Sequence, residues 1–193
     1  MAIATEVLLL NEDMYKAWTP LNGAVDPNLM RPHIILAQDK YLETYLGTDL
    51  YVKIKTDSAA GTIAGVYLTL LDTYIRKVIL WWTMVEALPS LHVKVDNGTI
   101  AIRTSEDTTS ISQTELQQFI NKARDNAQMY TQKMVDYLCA NSSSFPEYSS
   151  NTFPDKFPKT DVYGQSSNFA FSKGNSRFGG WQFDFPQSWV VKP

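Results

Sequence analysis

The chain has 193 residues, 44% of them hydrophobic and 12% aromatic, with a formal net charge of −3 and one cysteine. That length supports one ordinary core, and the weakly acidic balance argues against broad non-specific binding to nucleic acid, which needs several Lys or Arg to neutralise phosphates. A lone Cys139 cannot close an internal disulfide and suits a reducing cytoplasm.

The first residues carry a short apolar run, Val7 to Leu10, beside Glu6 and with no Lys or Arg before it, a poor signal peptide. Asp26-Pro27 starts a helix, with a carboxylate at the cap and proline at the first helical position. Met30, Ile34, Ala37, Tyr41 and Tyr45 then recur at steps of three and four until Gly47 supplies the stop. Thr48-Asp49 caps a short turn through Ile54, and 56–61 reads as a loop. From Gly65 to Leu88 the chain is apolar on nearly every helical face, so this helix is expected at the centre, ended by Pro89. Arg76, Lys77 and Glu86 leave its apolar core well short of the roughly 20 residues that span a bilayer. No membrane association is expected.

The period then changes to two. Val93 and Val95, a turn at Asn97-Gly98, and Ile100 and Ile102 predict a β-hairpin at about 91–105. Ser112 and Glu115 form a capping box for a last helix to about Leu138, with a narrow stripe of Leu116, Phe119, Ile120, Ala123, Ala127, Tyr130, Met134 and Tyr137. Eight of the nine Phe follow Asn141, in a stretch without Leu, Ile or Met and broken by five prolines. Lacking aliphatic filling, it reads as an extended arm whose aromatics suit pockets on another surface.

The fold class expected is therefore mainly α: a small bundle of three main helices with one β-hairpin insertion in residues 1–140, and a long extended arm in 141–193. No nucleophile motif, metal-spaced His or Cys cluster or phosphate-binding loop is present, so no catalytic, cofactor or metal residues are assigned. His33 and His92 stand outside any such motif, and Cys139 reads as a small buried residue near a helix end. Trp81-Trp82 could form a sugar-stacking platform but fits the core better. The residues assigned to protein interfaces are Phe145, Phe153, Phe157, Phe169, Phe171, Trp181, Phe183, Phe185 and Trp189, with Asn97 and Gly98 of the hairpin as a second contact.

With these elements in order, the chain resembles a head-to-tail connector (adaptor, or ring) protein of tailed bacteriophages, most similar to those of crAss-like phages. The likeness rests on three features. They are the Asp-Pro helix with Leu29, Ile34, Ala37-Gln38, Tyr41-Leu42 and Tyr45-Leu46-Gly47, the apolar helix Leu71 to Leu88 with Trp81-Trp82, and the polar-faced helix Thr114 to Cys139 leading into an arm. The resemblance implies a structural virion protein made in the bacterial cytoplasm and placed at the head–tail junction. It also implies a homo-oligomeric ring, usually of twelve subunits, below the portal protein and beside other connector or tail proteins. Genome DNA would pass through the ring without specific binding, and the arm would anchor on the portal or on neighbouring subunits. The alternatives are a carbohydrate- or peptide-binding module that uses the aromatic segment, and an enzyme that uses Cys139 or His33.

Overall fold

The computed structural model describes residues 6–19, 26–96, 99–102, 112–150 and 156–163, and these belong to one compact unit, residues 1–163. The unit is mainly helical. After a segment at 6–10 come α1 (Glu12–Trp18) and α2 (Pro27–Ala37), which runs through a π-helical turn, Gln38–Leu42, into α3 (Glu43–Leu46). Then follow α4 (Thr48–Ala60), α5 (Gly65–Leu70), a second π turn (Leu71–Ile75) and α6 (Arg76–His92). Strands β1 (Val93–Asp96) and β2 (Thr99–Ile102) pair antiparallel, with Val93 opposite Ile102 and Asp96 opposite Thr99. The long α7 (Gln113–Ala140), a 3₁₀ turn (Ser142–Ser144) and α8 (Pro146–Ser149) complete the described elements.

α6 is the central helix. It packs on α2 along one side and on α7 along another, and Val78, Ile79, Leu80, Trp82, Met84, Val85 and Ala87 are all buried. Trp82 belongs to this core: its ring stacks on Tyr41 at 3.7 Å, and its indole N–H donates to the Thr131 hydroxyl at 3.1 Å. That hydroxyl donates in turn to the Ala127 carbonyl, so a polar residue inside α7 is fully used. The Ser112–Glu115 capping box at the start of α7 is formed in both directions.

Several boundaries differ from the sequence expectation. α4 continues six residues past Ile54, because Leu50, Tyr51 and Ile54 already anchor one face. The polar remainder is held by an i,i+4 pair, Lys53 with Asp57, and by Gly61 closing the end in the left-handed conformation at φ 66°. Pro89 does not end α6, which runs on to His92; so near the terminus proline costs one backbone bond and leaves the last turn intact. Phe119 points outward, 56% exposed, because neighbouring Ile120 takes the inward position. Cys139 is exposed, one step around the helix from the buried Leu138, and so is not the buried residue expected.

The largest correction concerns the domain boundary. The compact unit continues to Tyr163 instead of stopping near 140. Phe145 is fully buried, meeting Tyr67 edge-on at 5.3 Å and Tyr137 at 5.9 Å. Tyr148 and Val162 are buried as well. Phe145 is therefore a core residue of its own domain, not an anchor for another chain. The Phe145 ring thus packs between Tyr67 of α5 and Tyr137 of α7, and Tyr137 in turn stacks on Tyr74 of the second π turn at 4.4 Å.

Candidate protein interface

Two surfaces are assembled from residues distant in sequence. The first lies at the corner between α3 and α4. Gly47, at φ 76° and ψ 161°, breaks the helix there and frees backbone groups for outside partners. Residues 156–159 supply them: the Thr48 N–H donates to the Lys156 carbonyl at 3.3 Å, and the Lys156 N–H to the Thr48 hydroxyl at 3.1 Å. The Lys159 N–H then donates to the Thr44 carbonyl at 3.0 Å, and the Lys156 ammonium meets Glu43 at 2.5 Å. This strap runs back along α3 and buries Val162, yet leaves Phe157 66% and Tyr163 52% exposed. Val52, one turn beyond Thr48, is 53% exposed.

Of the residues assigned to an interface from sequence, Phe157 is displayed on this strap, and Phe145 is withdrawn into the core. Phe153, Phe169, Phe171, Trp181, Phe183, Phe185, Trp189, Asn97 and Gly98 lie outside the described residues.

The second surface is the seam between α2 and α6. Glu86 accepts from the Lys40 ammonium at 2.8 Å and from the Tyr41 hydroxyl at 2.6 Å. Burial alone would raise the Glu86 carboxyl, but these two hydrogen bonds outweigh it and hold the group below its usual range. Burial pushes His33 the other way, below the ordinary imidazole value, against the opposing pull of Glu86. Among the described residues, no group of three or more His, Cys, Asp or Glu gathers to hold a metal, and no helix is long and apolar enough to cross a membrane.

α8 is fastened to α5 and α4 in the same way. Tyr67 donates to Glu147 at 2.7 Å, and its hydroxyl is pushed up to about 12, first by burial and then by that carboxylate. Lys53 reaches the same carboxylate at 3.8 Å. A cleft of about 320 Å³ opens between the first residues, α1 and α2, with Leu8, Leu10, Tyr15 and Ile34 as its apolar lining and Arg31 among its polar residues.

Sequence reasoning missed the residue that closes the N-terminal side. Gln38 is completely buried, its amide oxygen accepting from the Leu9 N–H at 2.8 Å and its amide nitrogen donating to the Val7 carbonyl at 3.0 Å. One side chain thus pairs with a backbone segment as a neighbouring strand would. Arg76 adds a bond to the Leu9 carbonyl at 3.3 Å, and Lys55 pairs with Glu6. The signal was present in the sequence as a glutamine in line with the apolar stripe of α2.

No curated protein and no solved structure matches the chain. A family model does match at residues 42–158, from the last residue of the first π turn through α8 and into the strap, which is more than half of the sequence. That span includes Phe145 and Tyr148, which the core takes from beyond α7, and ends within the strap at residue 158, four residues before the buried Val162. The chain belongs to DUF6712, a family of unknown function.

Proposed function

We propose that the protein is a structural component of a tailed-phage particle, a connector whose copies close into a ring below the portal and extend the channel for genome DNA. The observation that carries this reading is the division of the aromatics. The domain completes its own core with Phe145, Tyr148 and Val162, and the 30 residues that follow Tyr163 hold five Phe and two Trp with no Leu, Ile or Met. Side chains of that kind gain most from pockets on a partner.

Further support comes from the shape of the exposed faces. α7 is 28 residues long, on the order of 42 Å, and one flank of it is polar and uncommitted. A head-to-tail contact between unlike faces closes into a ring when its rotation permits. Phe157 and Val52 on one corner and Phe119 near the start of α7 are among the exposed apolar side chains available for such a contact. Net charge of −3 per subunit, multiplied around a ring of about twelve copies, would keep DNA from adhering to an acidic channel wall. In this reading the hairpin containing Asn97 and Gly98 makes a secondary contact.

The test is tryptic digestion with intact-mass analysis of the free chain and of the assembly that contains it. Free protein is expected to be cut first at Lys173 and Arg177, within the aromatic segment, and later at Lys156 and Lys159, which the strap's hydrogen bonds hold. Assembly should protect Lys173 and Arg177. Equal resistance of those sites in the free monomer would contradict the reading and favour an aromatic groove within one chain for carbohydrate or peptide.

A further inference from the structure

Lysines that lie over aromatic rings fall into two groups in this domain. Lys40, Lys53 and Lys55 each sit within about 5 Å of a tyrosine ring, and each is also paired with a carboxylate: Glu86, Asp57 with Glu147, and Glu6 respectively. Lys77 and Lys133 differ. Lys77 lies 5.7 Å from the centre of the Trp18 ring and 5.9 Å from that of Tyr130, and Lys133 lies 5.5 Å from the centre of the Tyr130 ring. Among the described residues neither has a carboxylate partner. Trp18, Lys77, Tyr130 and Lys133 come from α1, α6 and α7, so the fold itself assembles the strip. Trp18 is 46% exposed.

We infer that this strip is a sequence-independent contact site for single-stranded nucleic acid. Two ammonium groups that approach one ring, neither with a carboxylate partner among the described residues, suit contact with phosphates, and the exposed indole offers a face on which a base can stack. An acidic peptide would use the ammonium groups and leave the indole without a role, which is why nucleic acid is the better match. The site is independent of the connector reading, because it uses none of the aromatic segment.

The experiment is titration of the full chain with a dodecamer of deoxythymidine at low salt, read by tryptophan fluorescence and by anisotropy of the labelled oligonucleotide. Weak binding is expected, with log affinity falling against log salt at a slope of roughly −1.4, the value for two phosphate contacts on a single strand. Lys77→Gln and Lys133→Gln should each remove about half of that slope, and Trp18→Phe should abolish most of the fluorescence quenching while circular dichroism stays unchanged. Unaltered binding by the double lysine variant would overturn the proposal. So would an absence of binding by the wild-type chain, or equal competition by polyglutamate, which would mark the strip as an acidic-peptide site instead.

Discussion

Gln38 shows most directly how a single residue sets local structure. A buried amide is costly unless it is hydrogen-bonded, and here both its oxygen and its nitrogen are bonded to the backbone of residues 7–9. Gln38→Leu keeps the volume approximately but orphans the Leu9 N–H and the Val7 carbonyl. The expected loss is about 2–4 kcal/mol, measured by the urea midpoint, with earlier proteolysis of the first ten residues. Phe145 is the second decisive residue. Phe145→Ala opens a cavity beside Tyr67 and Tyr137 and should cost about 3–5 kcal/mol. A loss below 1 kcal/mol, with an intact fold, would mean that the ring is not the filling of this core.

The seam of α2 with α6 makes stability depend on pH. His33 has a lowered pKa in the folded chain, so the unfolded chain binds its proton first and stability falls as pH drops below the ordinary value of 6.5. Glu86 is also lowered, and its contribution is present above 4.5 and lost as pH falls through the folded value. Thermal melts from pH 7.5 to 3.5 should therefore show a decline in two stages. His33→Gln should flatten the upper stage and Glu86→Gln the lower one. At this scale the sequence was readable where a local signal sufficed: the Asp26-Pro27 start, the capping box at Ser112 and the all-round apolar α6. It was not readable at the ends of α4 and α6, where tertiary contacts outvote local punctuation. Thr56 to Ala60 look like a loop until Gly61 is seen to close the helix, and Pro89 looks like a stop although it costs only one bond.

For the molecule as a whole, the decisive feature is that the core is not closed by its helices alone. The aromatic run after Asn141 reads in sequence as one arm, because Phe-Pro pairs look alike whether they dock at home or elsewhere. Long-range partners separate them: Phe145 finds Tyr67 and Tyr137, the strap finds Thr44 and Thr48, and Phe157 stays 66% exposed. Truncation discriminates the two boundaries. Residues 1–163 should melt within a degree or two of the full chain. Residues 1–141, lacking Phe145, Tyr148 and Val162, should lose more than about 5 kcal/mol, which is comparable with the whole stability of a small domain.

The measurement that bears most directly on the proposed role is electron microscopy of the full chain produced together with the portal protein of the same genome, alongside residues 1–163 treated identically. Closed rings of about twelve copies seated on the portal are expected for the full chain, with seating lost or strongly reduced for 1–163. A full chain that stays monomeric and separate from the portal would contradict the connector role, and undiminished seating of 1–163 would contradict the role given to the aromatic segment.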